Sequence, residues 1–466
     1  MSDRGWTHFV GIGGVGMSGL AQILLASGQP VSGSDLKENR FTDLLARRGA
    51  IIFRGHHPAH LRPEVERVII SSAVPRDNPE VQEAERRGLP VWKRGQLLAE
   101  LMSPKRGIAV AGAHGKTTTT AMIALILVAG GLDPTAAVGG YVPILGSNAR
   151  YGSSPLFVAE ADESDGSFLL LSVEIAVATN VEDDHLDHYG SLEEIVKAFR
   201  RFLGQVKPTG TAVLCAEDPI LRELAEGLKV SSLTYGFREG SDFQARAVEL
   251  RGLGSAFKVY RRGKLWGALE LGVPGKHNVL NALAALAVGW HLGLPLESVQ
   301  EGLAGFRGVE RRFQILGGDG HIWVVDDYAH HPTEIKATLA AAGQVGARRM
   351  VVVFQPHRYT RTRFLYRQLG EALQKADVVI INDIYAAGET PLPGITSELI
   401  VRSLREGGHP AVHYLPTAAE TLEFLQKNCR PGDLVLTIGA GDVYRVGEAL
   451  VRYLQGSAPV GVEAGV

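Results

Sequence analysis

The stretch VAGAHGKTTTT, from Val110 to Thr120, decides how the centre of this 466-residue chain folds. It follows the apolar run Ile108 to Val110, which predicts a strand, and it opens a helical pattern. Gly112, Gly115 and Lys116 give the spacing G-x-x-G-K-T, a shortened form of the phosphate-binding loop. In such a loop, backbone N–H groups face the phosphates, the lysine reaches the β and γ oxygens, and the next threonine can ligate Mg²⁺. The stretch therefore predicts an ATP site between a strand and a helix of an α/β sheet.

A second glycine-rich turn lies near the N-terminus, in the segment GIGGVGMSG. Gly11, Gly13 and Gly16 match G-x-G-x-x-G after a short apolar run, and Asp35 follows roughly 20 residues later. Such a turn aims helix N-terminal N–H groups at a diphosphate, and the carboxylate holds a ribose hydroxyl. These features fit a uridine diphosphate as well as a nicotinamide dinucleotide. An NAD-dependent dehydrogenase would explain this turn only, because it has no use for the phosphate loop.

The composition favours a protein that acts on small molecules. The 48 Lys and Arg residues nearly balance 50 Asp and Glu, the net charge is -2, and no basic block favours nucleic acid or a membrane surface. The 2 cysteines, Cys215 and Cys429, are far apart and support neither a disulfide framework nor a zinc site. The apolar run Thr120 to Val128 is well short of the roughly 20 residues of a membrane span, and the N-terminus lacks a signal-peptide pattern. We therefore expect a cytoplasmic protein without nucleic-acid binding or membrane insertion.

Strand-like runs alternate with helical patterns along most of the chain, which predicts an α/β fold with parallel sheets. The clearest runs are Val68–Ile70, Ile108–Val110, Ile175–Val177, Met350–Phe354, Asp377–Ile381 and Leu434–Ile438. We expect a Rossmann-like parallel sheet at 1–103, a central P-loop ATPase-type α/β domain at 104–309 and a Rossmann-like α/β domain at 310–466. Within the central domain, the stretch Thr211 to Leu271 predicts added antiparallel hairpins, and a long helix is expected from about Asn278 to Leu292.

Two polar clusters follow predicted strands of the central domain. EADESDGSF brings four carboxylates to a strand end, namely Glu160, Asp162, Glu163 and Asp165. Strand ends of this kind bind ligands in open α/β sheets, and Mg²⁺ takes one or two carboxylates, so Glu160 or its neighbours are candidate metal ligands. An acidic turn exposed to solvent is the alternative. TNVEDDHLDHY repeats the layout and offers His185, which is either a metal ligand or a structural histidine.

Further polar groups lie on the long helix and in the last domain. Asn278 and Asn281 are spaced i and i+3 on one helix face, although capping alone would explain Asn278. The segment FQPHRYTRTRF contains three arginines, Arg358, Arg361 and Arg363, that could grip a carboxylate or a phosphate. Arginines on a solvated surface are the alternative interpretation.

Eight segments in order resemble the Mur ligase family across nearly the whole chain. They are GIGGVGMSG, AGAHGKTTTT, EADESDGSF, TNVEDDHLDHY, GKHNVLNA, DDYAHHPTEI, FQPHRYTRTR and GAGDVYRVGEAL. The resemblance implies ATP-dependent joining of L-alanine to the lactyl carboxylate of UDP-N-acetylmuramate in peptidoglycan precursor synthesis. It implies an acyl phosphate, then a tetrahedral intermediate, and release of ADP and phosphate.

The resemblance also implies roles for individual residues. Lys116, Glu160 and His185 would be catalytic. Thr117 and Glu160 would hold one Mg²⁺, and Glu160 with His185 a second, with Mn²⁺ as a possible substitute. The expected ATP contacts are Gly112, Ala113, His114, Gly115, Lys116, Thr117, Thr118, Asn278, Asn281, Arg312 and Asp327. The expected UDP-sugar contacts are Gly13, Gly14, Val15, Gly16, Ser34, Asp35, Ser71, Ser72 and Ala73. The expected amino-acid contacts are Tyr328, His330, Arg358 and Arg361.

The main rival within the family is the recycling ligase that attaches a murein tripeptide to the same acceptor. The arginine-rich FQPHRYTRTR segment favours a small amino acid. Folate polyglutamate and cyanophycin ligases fit less well, because GIGGVGMSG has no place in them. A nucleotide-binding regulator would leave the carboxylate, histidine and arginine clusters unexplained. We expect a monomer or a homodimer, and closure of the domains on binding, because water must be kept from the acyl phosphate.

Overall fold

The computed structural model describes residues 5–184 and 186–456. They form three sheets flanked by helices, which confirms the predicted α/β class. The chain falls into two compact units. The first runs to Val248 and includes Phe257–Glu270 and Val279–Arg307; the second contains Glu249–Ala256, Leu271–Asn278 and the chain from Gly308 onwards. No described helix is both long and apolar enough to cross a bilayer.

The N-terminal sheet has five parallel strands in the order β3-β2-β1-β4-β5. Its elements are β1 (Trp6–Val10), α1 (Val15–Ala26), β2 (Val31–Asp35), α2 (Arg40–Arg47), β3 (Ile51–Arg54), β4 (Val65–Ile70), α3 (Pro79–Arg86), β5 (Val91–Lys93) and α4 (Arg94–Met102). The strand order reverses beside β1, so that the glycine-rich turn after β1 lies where such sheets bind ligands.

The middle sheet has ten strands in the order β15-β14-β13-β12-β11-β10-β6-β9-β7-β8. Its strands are β6 (Arg106–Ala111), β7 (Thr135–Val142), β8 (Ser147–Arg150), β9 (Leu156–Glu160), β10 (Ile175–Ala178), β11 (Thr211–Cys215), β12 (Ser231–Gly236), β13 (Phe243–Arg251), β14 (Gly254–Arg261) and β15 (Lys264–Leu271). The helices of this region are α5 (Lys116–Ala129), α6 (Leu186–Tyr189), α7 (Leu192–Gly204), α8 (Pro219–Glu226), α9 (Lys276–His291) and α10 (Leu296–Ala304). The long helix expected from about Asn278 is therefore α9.

The prediction of antiparallel hairpins over the whole of 211–271 is wrong for its first half. β11 pairs in parallel with β10, and β12 in parallel with β11 and β13. The connection 216–230 contains α8 and is long enough for a crossover between parallel strands. In the second half, β13, β14 and β15 are neighbours joined by connections of two residues. Parallel strands cannot be joined by so short a connection, so these three strands form antiparallel hairpins as expected. Short apolar runs reveal strands without revealing their direction, which explains the error.

The C-terminal sheet has six strands in the order β16-β17-β21-β18-β19-β20, parallel except for β16. Its elements are β16 (Gln314–Gly318), β17 (Trp323–Asp327), α11 (Pro332–Gln344), β18 (Arg349–Phe354), α12 (Tyr359–Leu373), β19 (Val378–Ile381), α13 (Glu398–Glu406), β20 (Val412–Tyr414), α14 (Ala418–Asn428), β21 (Asp433–Ile438) and α15 (Tyr444–Leu454). Both faces are buried, since Val352 and Phe354 of β18 belong to one apolar cluster and Val351 and Val353 to another. This is why its strands are continuous apolar runs.

Candidate active site

The phosphate loop between β6 and α5 has a backbone that glycine alone adopts easily. Gly112 and Gly115 have φ angles of +138° and +83°. A β-carbon added to Gly112 would lie 2.0 Å from Oγ1 of Thr179, which leaves no space for a side chain. The helix α5 begins at Lys116, so its first N–H groups face the loop, as a phosphate site requires.

Two residues after β10 hold the phosphate loop, and neither is among the site residues predicted from the sequence. Oδ1 of Asn180 accepts from the N–H of His114 at 2.8 Å, and its Nδ2 donates to the His114 carbonyl at 3.0 Å. Oγ1 of Thr179 donates to the same carbonyl at 2.6 Å. Both residues belong to the segment TNVEDDHLDHY, whose polar residues were the signal available in the sequence.

Lys116 contacts both the loop and the acidic cluster. Its Nζ lies 2.6 Å from the carbonyl oxygen of Gly112 and 2.7 Å from Oε1 of Glu163. Burial favours the neutral amine, but the carboxylates of Glu163, Glu160 and Asp162 raise the pKa of Lys116. Burial also raises the pKa of Glu163 to about 7, although Lys116 opposes this. Lys116 is therefore a cation throughout the physiological range, as phosphoryl stabilisation requires.

Glu160 lies at the end of β9, opposite Val110 in the strand that leads into the loop. Its Oε2 accepts from the N–H of Gly139 at 2.9 Å, and a β-carbon on Gly139 would lie 2.1 Å from that oxygen. The close approach of β7 thus orients the carboxylate. The hydroxyl of Thr117 and the carboxylate of Glu160 are hard oxygen donors, the chemistry that Mg²⁺ prefers. His185, the other predicted ligand, lies outside the described residues.

The two asparagines of α9 differ in their surroundings. Oδ1 of Asn281 accepts from Oγ1 of Thr119 at 3.1 Å, and a β-carbon on Gly115 would lie 2.7 Å from it. Asn281 therefore packs directly on the phosphate loop. Asn278 belongs to the second unit, and its Nδ2 donates to the carbonyl of Pro274 at 2.7 Å. Their adenine contacts stay predictions.

The glycine-rich turn after β1 is braced by residues at the end of β2 and just beyond it. Oδ2 of Asp35 accepts from the N–H of Gly13 at 2.8 Å, and Nδ2 of Asn39 donates to the Gly13 carbonyl at 3.2 Å. A β-carbon on Gly11 would lie 3.2 Å from Cβ of Ser71, which follows the neighbouring β4. The structure thus brings three groups of the predicted UDP-sugar residues to one edge of the sheet, while their ligand contacts stay predictions.

Ser34, another of these predicted residues, contacts the buried carboxylate of Glu80, which is not among the predicted site residues. Its Oγ donates to Oε2 of Glu80 at 2.5 Å, and Nδ1 of His60 lies 2.6 Å from Oε1. His56 and His8 lie 3.3 and 3.7 Å from the same carboxylate. Burial opposes ionisation, but the contacts with His8, Ser34 and His60 lower the pKa of Glu80 to about 2. No sequence motif marks this cluster, because its members come from four separate segments.

In the second unit, Asp327 at the end of β17 holds two backbone segments, one before β16 and one after β17. Its two carboxylate oxygens accept from the N–H groups of Phe313 and Ala329, each at 2.8 Å. Burial raises the pKa of Asp327 to about 6. Arg312 lies near Tyr328, with its guanidinium carbon 5.2 Å from the ring centroid, and pairs with Glu334 at 3.3 Å. The ATP contacts of Arg312 and Asp327 stay predictions.

The predicted amino-acid residues meet around His357, which received no assignment although it lies in FQPHRYTRTR. The rings of Tyr328 and His330 are 5.6 Å apart, and those of His330 and His357 are 5.9 Å apart. Nη1 of Arg361 lies 3.2 Å from Nδ1 of His357. Arg358 has a φ of +70°, a strained value for a non-glycine residue. Burial and the neighbouring His330 and Arg361 lower the pKa of His357 to about 3, so this imidazole is neutral at physiological pH.

Family models match three consecutive parts of the chain. The Mur ligase family catalytic domain matches residues 7–106, the Mur ligase middle domain 110–289, and the Mur ligase glutamate ligase domain 311–441. A UDP-N-acetylmuramate--L-alanine ligase of Desulforamulus reducens is 49% identical, over 96% of this chain and 97% of that protein. One of Pelotomaculum thermopropionicum is 50% identical, over 99% of this chain and 100% of that protein.

Solved structures agree with the family matches. The UDP-N-acetylmuramate-alanine ligase of Thermotoga maritima has a TM-score of 0.84 at 33% identity, covering 97% of this chain and 100% of that one. A murein peptide ligase of Psychrobacter arcticus has a TM-score of 0.74 at 25% identity, covering 98% and 100%. The resemblance drawn from eight sequence segments is thereby confirmed, and the chain belongs to the Mur ligase family.

Proposed function

We propose that this protein is an ATP-dependent ligase that forms an amide bond between L-alanine and UDP-N-acetylmuramate. The observation that carries the reaction class is Lys116, whose ammonium group lies between the phosphate loop and the carboxylates that follow β9. The choice of substrates is supported by relatives of this name at 49% to 50% identity, against 25% for the murein peptide ligase. A cytoplasmic location and a monomeric or homodimeric state are part of the proposal.

Each predicted domain has one task in the proposed reaction. The domain at 1–103 binds the UDP end of the acceptor, and the domain at 104–309 binds ATP. The acceptor carboxylate attacks the γ-phosphorus of ATP, ADP leaves, and an acyl phosphate forms. Lys116 stabilises the negative charge on the transferred phosphoryl group. The domain at 310–466 binds L-alanine. The amine of L-alanine attacks the acyl carbonyl and displaces phosphate through a tetrahedral intermediate.

The donors near the phosphate loop fit bound Mg²⁺. Thr117, Glu160 and His185 would hold the ions, in two sites as predicted, and Mn²⁺ could replace them. Bound cations would neutralise charge between the phosphate and the acceptor carboxylate. The protein's own contribution is orientation, because the N–H of Gly139 holds the Glu160 carboxylate.

The cluster around His357 suits a small amino acid. Arg358 and Arg361 would grip the alanine carboxylate, because a guanidinium matches a carboxylate in shape and charge. The rings of Tyr328, His330 and His357 form a wall that would restrict the side chain to a small group. Because the pKa of His357 is about 3, its neutral imidazole adds no further positive charge near the amino group of alanine.

Release of ADP in the presence of UDP-N-acetylmuramate tests this function. We expect turnover with L-alanine, and the assay should compare glycine, L-serine and the murein tripeptide. Lys116→Ala is the negative control, because it removes the phosphate-binding cation without disturbing the acceptor domain. Turnover with the tripeptide and none with L-alanine would show a recycling ligase, and oxidation of NADH would show a dehydrogenase.

A further inference from the structure

Arg94 lies between the glycine-rich turn of the N-terminal sheet and the acidic end of β9. It is the first residue of α4 and follows β5 directly, at the carboxyl edge of the sheet. A β-carbon on the next residue, Gly95, would lie 2.4 Å from Cβ of Ser167. The start of α4 is therefore packed against the segment that follows Glu160.

The side chain of Arg94 spans from one predicted substrate site to the other. A β-carbon on Gly16 would lie 2.8 Å from Cδ and 3.2 Å from Nη1 of Arg94, so the side chain rests on the first turn of α1. Its Nη2 donates to Oδ2 of Asp162 at 2.8 Å. The acceptor must cover the same span, since its diphosphate belongs at the turn and its carboxylate at the ATP site.

The ion pair itself gives little structural reason for this arrangement. The Arg94 side chain is 26% exposed and that of Asp162 is 34% exposed. Ion pairs that remain accessible to solvent contribute little to stability. Among the described residues, Asp162 is the one hydrogen-bond partner of this guanidinium, which has five donors in a fork. Most of its capacity for binding an anion is therefore uncommitted.

An anion at the start of α1 would lie within reach of these donors. The first N–H groups of α1 attract negative charge, and Arg94 places a full positive charge beside the same turn at Gly16. A planar guanidinium binds phosphate oxygens in pairs, which an ammonium group cannot do. The turn is otherwise bordered by the carboxylate of Asp35, which binds the Gly13 N–H and would repel a phosphate. The positive charge of Arg94 would offset this repulsion.

We propose that Arg94 binds the diphosphate of the UDP-linked acceptor and that Asp162 orients the guanidinium for this contact. The inference rests on the proposed function, because it assumes that a UDP-sugar occupies the glycine-rich turn. A side chain at Gly16 would displace the Arg94 stem from this position, because its β-carbon would lie 2.8 Å from Cδ of Arg94.

Calorimetric titration without ATP tests the proposal on the full chain with three probes: UDP, UDP-N-acetylglucosamine and UDP-N-acetylmuramate. We expect Arg94→Ala to weaken all three by roughly 10- to 100-fold, the usual range for losing hydrogen bonds to a charged group. Arg94→Lys keeps the charge and loses the fork, so its loss should be intermediate. Arg67→Ala is the matched control, because Arg67 of β4 also forms an ion pair with a residue of α4, Glu100, but the described part of the chain shows no contact between it and the glycine-rich turn, so all three affinities should be unchanged.

Three results would overturn the proposal. Unchanged affinity of Arg94→Ala for UDP would show that the guanidinium does not meet the diphosphate. A loss confined to UDP-N-acetylmuramate would assign Arg94 to the muramyl carboxylate. Unchanged UDP affinity in Asp162→Asn would remove the orienting role assigned to Asp162. If Arg94→Ala does not fold, Arg94→Lys decides by the same criteria. Wild-type protein that binds UDP but does not use L-alanine would instead refute the proposed function.

Discussion

Replacing Glu80 by glutamine removes a negative charge from the interior of the N-terminal domain. The Glu80 side chain is fully buried, and its carboxylate contacts Ser34, His56 and His60 within 3.3 Å. Glutamine has nearly the same shape, so the substitution changes the charge without opening a cavity. The loss of stability therefore measures the electrostatic value of this cluster.

The magnitude follows from the shifted pKa of Glu80. Burial opposes ionisation, yet contacts with His8, Ser34 and His60 lower the pKa from 4.5 to about 2. At about 1.4 kcal/mol per pKa unit, the difference corresponds to about 3 kcal/mol of unfolding free energy. Because the folded pKa is the lower one, this stabilisation is complete above the unfolded value and is lost as the pH falls towards 2. We expect Glu80→Gln to lose about 3 kcal/mol at pH 7 and about 2 kcal/mol at pH 3.5.

Native-state hydrogen exchange over peptides of β1 and β4 measures this locally, which avoids assuming that the whole chain unfolds in one step. The control is Glu83→Gln on the same helix, where Glu83 forms a surface ion pair with Arg86 and little change is expected. A difference in unfolding free energy between wild type and Glu80→Gln of less than about 1 kcal/mol at pH 7 would refute the reasoning. A difference that does not become smaller as the pH is lowered would also refute it.

Three further predictions concern the loop and the amino-acid cluster. Lys116→Met should lower kcat by roughly 100-fold or more while UDP affinity stays unchanged, because a positive charge on the phosphoryl group is lost; normal ADP release would contradict this. Gly112→Ala should abolish ATP binding and lower the melting temperature, since its β-carbon would lie 2.0 Å from Oγ1 of Thr179. Gly204→Ala is the control, because a β-carbon on Gly204 would have no atom within 4 Å, and its melting temperature should be no lower than that of the wild type. His357→Ala should raise the KM for L-alanine about 10-fold with the KM for ATP unchanged, since a single lost contact is worth about 1.4 kcal/mol. Because the pKa of His357 is about 3, the KM for L-alanine should show no titration of this group between pH 5 and pH 8, and an inflection removed by the substitution would be the contrary result.

Much of the fold could be predicted from local patterns. The strands at Val68–Ile70, Ile108–Val110 and Leu434–Ile438 are present in the structure as expected. Short apolar runs mark these strands because both faces of a parallel sheet are buried. The direction of β11 and β12 was not predictable in this way, since it depends on which strand each one pairs with.

The amino-acid sequence by itself determined the glycine-rich turns, the phosphate loop with Lys116, and the acidic strand end at Glu160. These features depend on spacing within a few residues, where backbone geometry dictates residue type. Only the tertiary structure decided which side chains hold them in place. Asn180 supports the phosphate loop, Gly139 orients Glu160, and Arg94 lies on Gly16. These contacts join segments that are distant in sequence, and no local spacing encodes them because they arise when strands and helices pack.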